Sequence, residues 1–114
     1  MNPLDITTKK ITNDIEYIKI SGSLDATNYE LLESKIISYF KNSCFKLIID
    51  MNEIHYISSA GAGIFLSYVD EAQENNGNMI ILPSPAVQEV FDILGLVEIF
   101  SFAKTIEEAE QALS

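Results

Sequence analysis

Apolar and polar positions alternate over residues 16–21, with Tyr17, Ile18 and Ile20 as the apolar members, and again over residues 4–10. Both stretches predict strands, and Thr12-Asn13-Asp14 between them is turn chemistry, so the chain opens with an antiparallel hairpin. After Gly22-Ser23-Leu24-Asp25, Thr27 stands three residues ahead of Glu30, which is capping-box spacing, and Leu32, Ile36, Tyr39 and Phe40 recur on one helical face. A first helix is predicted over 27–41. Residues 45–50 form a nearly continuous apolar run ending in Asp50, as expected of a central strand covered on both faces. Ser58 and Ser59 then precede a second helix whose inner face is Phe65, Tyr68, Val69 and Ala72 and whose stop is Asn75-Asn76-Gly77. Residues 79–82 are another strand. Ser84-Pro85 pairs an N-cap with proline at the first helical position, ahead of Val87, Val90, Phe91 and Leu94 at helical spacing and a stop at Gly95. Residues 97–102 predict a last strand, and Thr105 with Glu108 repeats the capping-box spacing ahead of Ile106, Ala109 and Leu113.

The resulting order, β-β-α-β-α-β-α-β-α, predicts an α/β fold: a mixed sheet with an N-terminal antiparallel hairpin, right-handed crossovers and about four helices. The pattern leaves open whether the crossover helices share one face. No repeat, low-complexity tract or linker divides the 114 residues, which suit a single domain over 1–114.

Charge narrows the function. Seventeen acidic residues against seven basic ones give a net charge of -10, and all seven cations are lysines. Six lie at or before Lys46, and no basic residue occurs between 47 and 103, where Asp50, Glu53, Asp70, Glu71, Glu74, Glu89, Asp92 and Glu98 fall. Such a surface repels a phosphate backbone and an anionic bilayer alike, and no apolar run approaches the roughly 20 residues that span a membrane. Residues 1–10 lack the apolar centre of a signal peptide, so a cytoplasmic protein is expected. Cys44 is the only cysteine and reads as an inert, partly buried thiol; with His55 as the only histidine, no zinc cluster is available.

Enzymatic chemistry finds little support. His55 is too close in sequence to Ser58 and Ser59 to suggest a triad, and neither serine stands in a nucleophile elbow. Gly61-Ala62-Gly63 is followed by Leu66 where a dinucleotide loop has its third glycine, and by no P-loop lysine. Asp50 stands where receiver domains accept phosphate, but the acidic pair that would hold a divalent ion after the first strand is missing, and accepting backbone N–H groups explains it better. Two features remain. One serine at a helix start is explained as a cap, which leaves the second, and a phosphate there would meet free amides and the helix dipole. Two glycines in the first turn cost roughly 1 kcal/mol each relative to alanine, so they require a close approach of strand, ligand or partner.

The segment Tyr56-Ile57-Ser58-Ser59-Ala60-Gly61-Ala62-Gly63 resembles the signature of the STAS domain, the family of anti-anti-sigma factors (anti-sigma factor antagonists), in which an apolar strand ending in Asp leads to D-S-[STA]-G-[LV]-G at a helix start. Gly22-Ser23-Leu24-Asp25 likewise resembles the family's G-x-[LI]-D, and the element order and the segment from Ser84-Pro85 to Leu94-Gly95-Leu96 extend the likeness over the whole chain. The resemblance implies a non-catalytic partner switch. The unphosphorylated form would bind an anti-sigma factor that is also a serine protein kinase, releasing a sigma factor; the kinase would phosphorylate the antagonist, and a serine phosphatase would restore it. Matched position by position, the phosphoacceptor is Ser59, Ser58 replaces the motif Asp, and Ala62 replaces the motif's Leu. Asp25, Ser58, Ser59, Ala60, Gly61, Ala62 and Gly63 are the expected partner-binding residues. A monomer without cofactor or metal is expected, binding no nucleic acid and inserting into no membrane. Two further outputs fit the same resemblance: control of an effector other than a sigma factor, or a constitutive STAS-like subunit of a membrane-associated complex.

Overall fold

A computed structural model describes residues 4–114. Nine elements follow in the expected order: β1 (Asp5–Lys10), β2 (Ile15–Leu24), α1 (Tyr29–Lys41), β3 (Lys46–Ile57), α2 (Ser59–Glu74), β4 (Asn78–Pro83), α3 (Pro85–Ile93), β5 (Ser101–Phe102) and α4 (Ile106–Leu113). The five strands form one sheet in the order β1-β2-β3-β4-β5, antiparallel between β1 and β2 and parallel elsewhere.

Sequential parallel strands joined by right-handed crossovers place their helices on one face. Accordingly α1, α2 and α3 share a core with the inward residues of the sheet: Leu32, Ile36, Phe65, Val69, Val87 and Phe91 meet Leu47, Ile49, Met79 and Ile81. The alternate residues Ile48, Ile80 and Leu82 point to the opposite face, where Ala109 and Leu113 of α4 cover them. Burial on both faces is the reason β3 and β4 read as continuous apolar runs rather than alternating ones.

Several boundaries differ from the sequence expectation, each for a physical reason. β2 and β3 both run farther than predicted, because residues Ser21 to Leu24 pair with Glu53 to Ile57 beyond the last β4 partner, Met51. β2 continues through two register shifts against β3, and Gly22, at φ 105°, stands at the second of them. Asp50 is therefore inside a strand, not at its end. The capping box expected at Thr27 does not form: α1 starts at Tyr29, and Thr27 donates both its N–H and its hydroxyl to Asp25 Oδ1 at 2.8 and 2.6 Å. Of the strand predicted over 97–102, only Ser101–Phe102 pairs with β4. The preceding residues form a turn in which the N–H groups of Ile99 and Phe100 bond to Leu96 O, and Leu96 and Phe100 both drop into the core. Phe100 then packs edge-on against Phe65 and Phe91, with ring centroids 6.4 and 5.5 Å apart. The caps at Ser84 and Thr105 form as predicted, accepting from Val87 N at 3.2 Å and Glu108 N at 3.1 Å.

Candidate functional site

The long β2–β3 pairing brings the ends of both strands together at one end of the sheet. β2 ends at Leu24 opposite Ile57, the last residue of β3, and Ser58 N–H donates to Leu24 O at 3.0 Å. Asp25 follows Leu24 directly, so the loop that leaves β2 at Asp25 and the start of α2 are joined through this bond.

Ser58 is the N-cap of α2. Its backbone is extended, its Oγ accepts from Gly61 N–H at 3.0 Å, and its carbonyl takes the first helical bond, from Ala62 N–H at 2.9 Å. One orphan amide of the helix start is thereby satisfied. Ser59, the first helical residue, is exposed, and among the described residues its hydroxyl makes no hydrogen bond. The two adjacent serines are thus in different states: one hydroxyl is committed to the helix, the other faces solvent beside the positive end of the α2 dipole.

The glycines also separate. A Cβ at Gly61 would lie 2.6 Å from Leu24 O, so only glycine lets the helix start dock on the end of β2. A Cβ at Gly63 would meet nothing within 4 Å. Gly63 floors a shallow groove of about 310 Å³ between α1 and α2, lined by Tyr29, Glu33, Ala60, Gly63, Ile64 and Ser67. Gly61 and Ala62 are buried, so of the expected contact residues the surface holds Asp25, Ser58, Ser59, Ala60 and Gly63, with Gly61 and Ala62 beneath.

Asp25 is a fixed carboxylate. The hydroxyl and N–H of Thr27 hold its carboxyl below the usual carboxylate range. Asn28 locks the same loop from the other side: its Oδ1 accepts from Asp25 N–H at 3.0 Å, and its Nδ2 donates to Ser23 O at 2.8 Å. Sequence reasoning missed the parts played by Thr27 and Asn28; the signal was Asp25-Ala26-Thr27-Asn28, a run of residues that bond to their own backbone.

The other candidates lie elsewhere. Asp50 is nearly buried on the α4 side of the sheet, accepting from Tyr17 O–H and, at 3.0 Å, from Asn52 N–H. Burial, then this carboxylate, pushes the Tyr17 phenol well above its ordinary value. His55 is exposed along β3. Burial pushes the Cys44 thiol up, which keeps it protonated and unreactive. Among the described residues no three His, Cys, Asp or Glu side chains could share a metal ion, and no helix is long and apolar enough to cross a membrane.

The sequence that builds this capped serine, exposed serine and docked glycine matches the STAS domain family model over residues 7–109, most of the chain. The chain belongs to it. Among curated relatives, the anti-sigma-B factor antagonist of Staphylococcus epidermidis is 26% identical over 98 residues, covering 84% of this chain and 91% of the relative. Among solved structures, the anti-sigma factor antagonist SpoIIAA in its unphosphorylated form is 27% identical, with a TM-score of 0.79 over 95% of each chain. The Bacillus cell fate determinant SpoIIAA in its phosphorylated form is also 27% identical, with a TM-score of 0.73 over 95% of this chain and 98% of that one. This STAS domain therefore resembles a protein whose structure is known in both phosphorylation states.

Proposed function

We propose that this STAS domain is an anti-sigma factor antagonist whose unphosphorylated form binds an anti-sigma factor with serine kinase activity, so that a sigma factor is released, and that phosphorylation of Ser59 switches it off. The observation that carries the reading is the contrast between the two serines: Ser58 Oγ is held by Gly61 N–H, whereas Ser59 is exposed and unbonded. The names of the relatives favour the same reading.

The chemistry belongs to the partner. Ser59 Oγ would attack the γ-phosphorus of ATP held by the kinase, its proton passing to a base there and ADP leaving; hydrolysis of the phosphoserine by a serine phosphatase would restore the hydroxyl. What this chain contributes is a rigid presentation of the hydroxyl. The cap at Ser58, the docking of Gly61 on Leu24 and the Asn28-locked loop hold the Ser59 backbone in place before any partner arrives.

Adding about -1.5 to -2 charges at Ser59 would not strain the fold, since the helix start favours an anion and nothing packs on the hydroxyl. It would set a bulky hydrated anion in the middle of the surface formed by Asp25, Ala60 and Gly63, a surface that must lose its water to be covered. A basic partner suits the field already present, with no cation of this chain between residues 47 and 103. Incubation with the cognate kinase and ATP, followed by peptide mass spectrometry, tests the acceptor: phosphate on Ser59 and none on Ser59→Ala is expected, and stoichiometric phosphate on Ser59→Ala would overturn the assignment.

A further inference from the structure

Among the described residues seven large hydrophobic side chains stand exposed, and four of them fall within seven positions: Ile93 at 75%, Leu94 at 40%, Val97 at 38% and Ile99 at 45%. Their crowding follows from the way the chain leaves α3. Gly95, at φ 72°, closes the helix by donating to Asp92 O, and Leu96 N–H donates to Phe91 O. The next turn is tied by Phe100 N–H on Leu96 O, so Leu96 and Phe100 fill the core at 5% exposure each. The residues between and beside these two anchors are left facing outward on one compact turn.

Two exposed carboxylates, Asp92 beside this apolar segment and Glu98 within it, form no ion pair among the described residues, and the Asp92 carboxylate accepts only from the neutral Gln88 Nε2, at 3.1 Å. We propose that the turn after α3 is a docking surface for a protein segment that presents aliphatic side chains flanked by lysine or arginine, and that it is used whatever the phosphorylation state of Ser59.

Charge selects this occupant. A second copy of the chain would bring Asp92 and Glu98 against their own counterparts across a two-fold axis, and an anionic bilayer would meet the same carboxylates. A basic, aliphatic segment covers the four side chains and neutralises both acids. Independence from the switch follows from position. α3 begins where Ser84 Oγ donates to Ile54 O at 2.8 Å, five residues before Ser59 along β3, and its nine residues add roughly 13 Å of helix before the turn. That exceeds the screening length of about 8 Å at physiological salt. The surface is thus additional to the one proposed around Ser59 and does not depend on it.

A photocrosslinking amino acid at position 93 of the full chain, with one at exposed position 34 on α1 as control, tests this in the native cells. Expected is a protein adduct at position 93 roughly tenfold above the control, mapped to a peptide in which Leu, Ile or Val alternates with Lys or Arg. The same yield is expected from Ser59→Ala and Ser59→Asp backgrounds, and loss of the adduct from Asp92→Lys/Glu98→Lys, whose thermal midpoint should match the parent because both side chains are exposed. An adduct with a second copy or a phospholipid, yield no higher than at position 34, a yield that changes with the Ser59 variants, or persistence of the adduct after charge reversal would each overturn the proposal.

Discussion

The carbonyl oxygen of Leu24 lies 2.6 Å from the point where a Cβ on Gly61 would stand, so the start of α2 meets the end of β2 at backbone distance. Gly63, two residues on, has open space at the same test. Two glycines that look alike in the sequence should therefore respond in opposite ways. Gly61→Ala forces strand and helix apart and should cost about 1–3 kcal/mol. Gly63→Ala removes a helix glycine from an unobstructed site and should add roughly 0.5–1 kcal/mol. Urea unfolding of the two variants checks the signs. A larger side chain at position 63 should also fill the groove beside Ala60 and weaken kinase binding while the fold is kept.

Ser58 caps α2 at the border of the contact surface, and its hydroxyl is committed to that cap. Ser58→Ala should lower stability by about 1 kcal/mol through loss of the bond to Gly61 N–H. Ser58→Asp restores the family residue and an acceptor at the cap, so its stability should return to the parent value. Both variants should still take phosphate on Ser59. Thermal melts together with phosphopeptide mapping separate the two roles.

Tyr17 and Asp50 form a pair outside the site that anchors β2 to β3. Tyr17→Phe leaves a nearly buried carboxylate with only Asn52 N–H as its donor and should cost about 1–3 kcal/mol. The pair also fixes an alkaline limb. Folding raises the Tyr17 phenol above its ordinary value of 10.0, and Glu33, as acceptor of its O–H at 2.6 Å, raises Tyr68 to about 12. In both cases the unfolded chain loses its proton first. The contribution is complete below about pH 10 and is lost as pH rises beyond it. The urea midpoint should fall above that pH, less steeply in Tyr17→Phe; an ultraviolet titration should show a late tyrosinate component that Tyr17→Phe reduces.

The sequence carried the element order because each crossover strand and helix has its own period and its own stop: Ser84-Pro85 and Thr105 with Glu108 mark helix starts that the structure bears out. Residues 97–102 misled because Val97, Ile99 and Phe100 favour strands by composition, whereas Leu96 and Phe100 are four apart and both face inward in a turn. Thr27 misled for another reason. Its hydroxyl can either accept from an N–H of the helix start or donate to Asp25, and the carboxylate won. Within the site, the small residues and paired serines were legible, but the division of labour between Ser58 and Ser59, and between Gly61 and Gly63, depends on the distance to Leu24, which no local pattern contains.

Affinity for the cognate kinase, measured by calorimetry for the parent chain, Ser59→Ala and Ser59→Asp, tests the switch most directly. The parent and Ser59→Ala should bind alike, since the Ser59 hydroxyl has no hydrogen-bond partner among the described residues, and Ser59→Asp should lose about 2 kcal/mol or more from an anion buried in the contact. Equal affinity of all three would contradict the account, because a charge at Ser59 would then lie outside the surface that the partner covers.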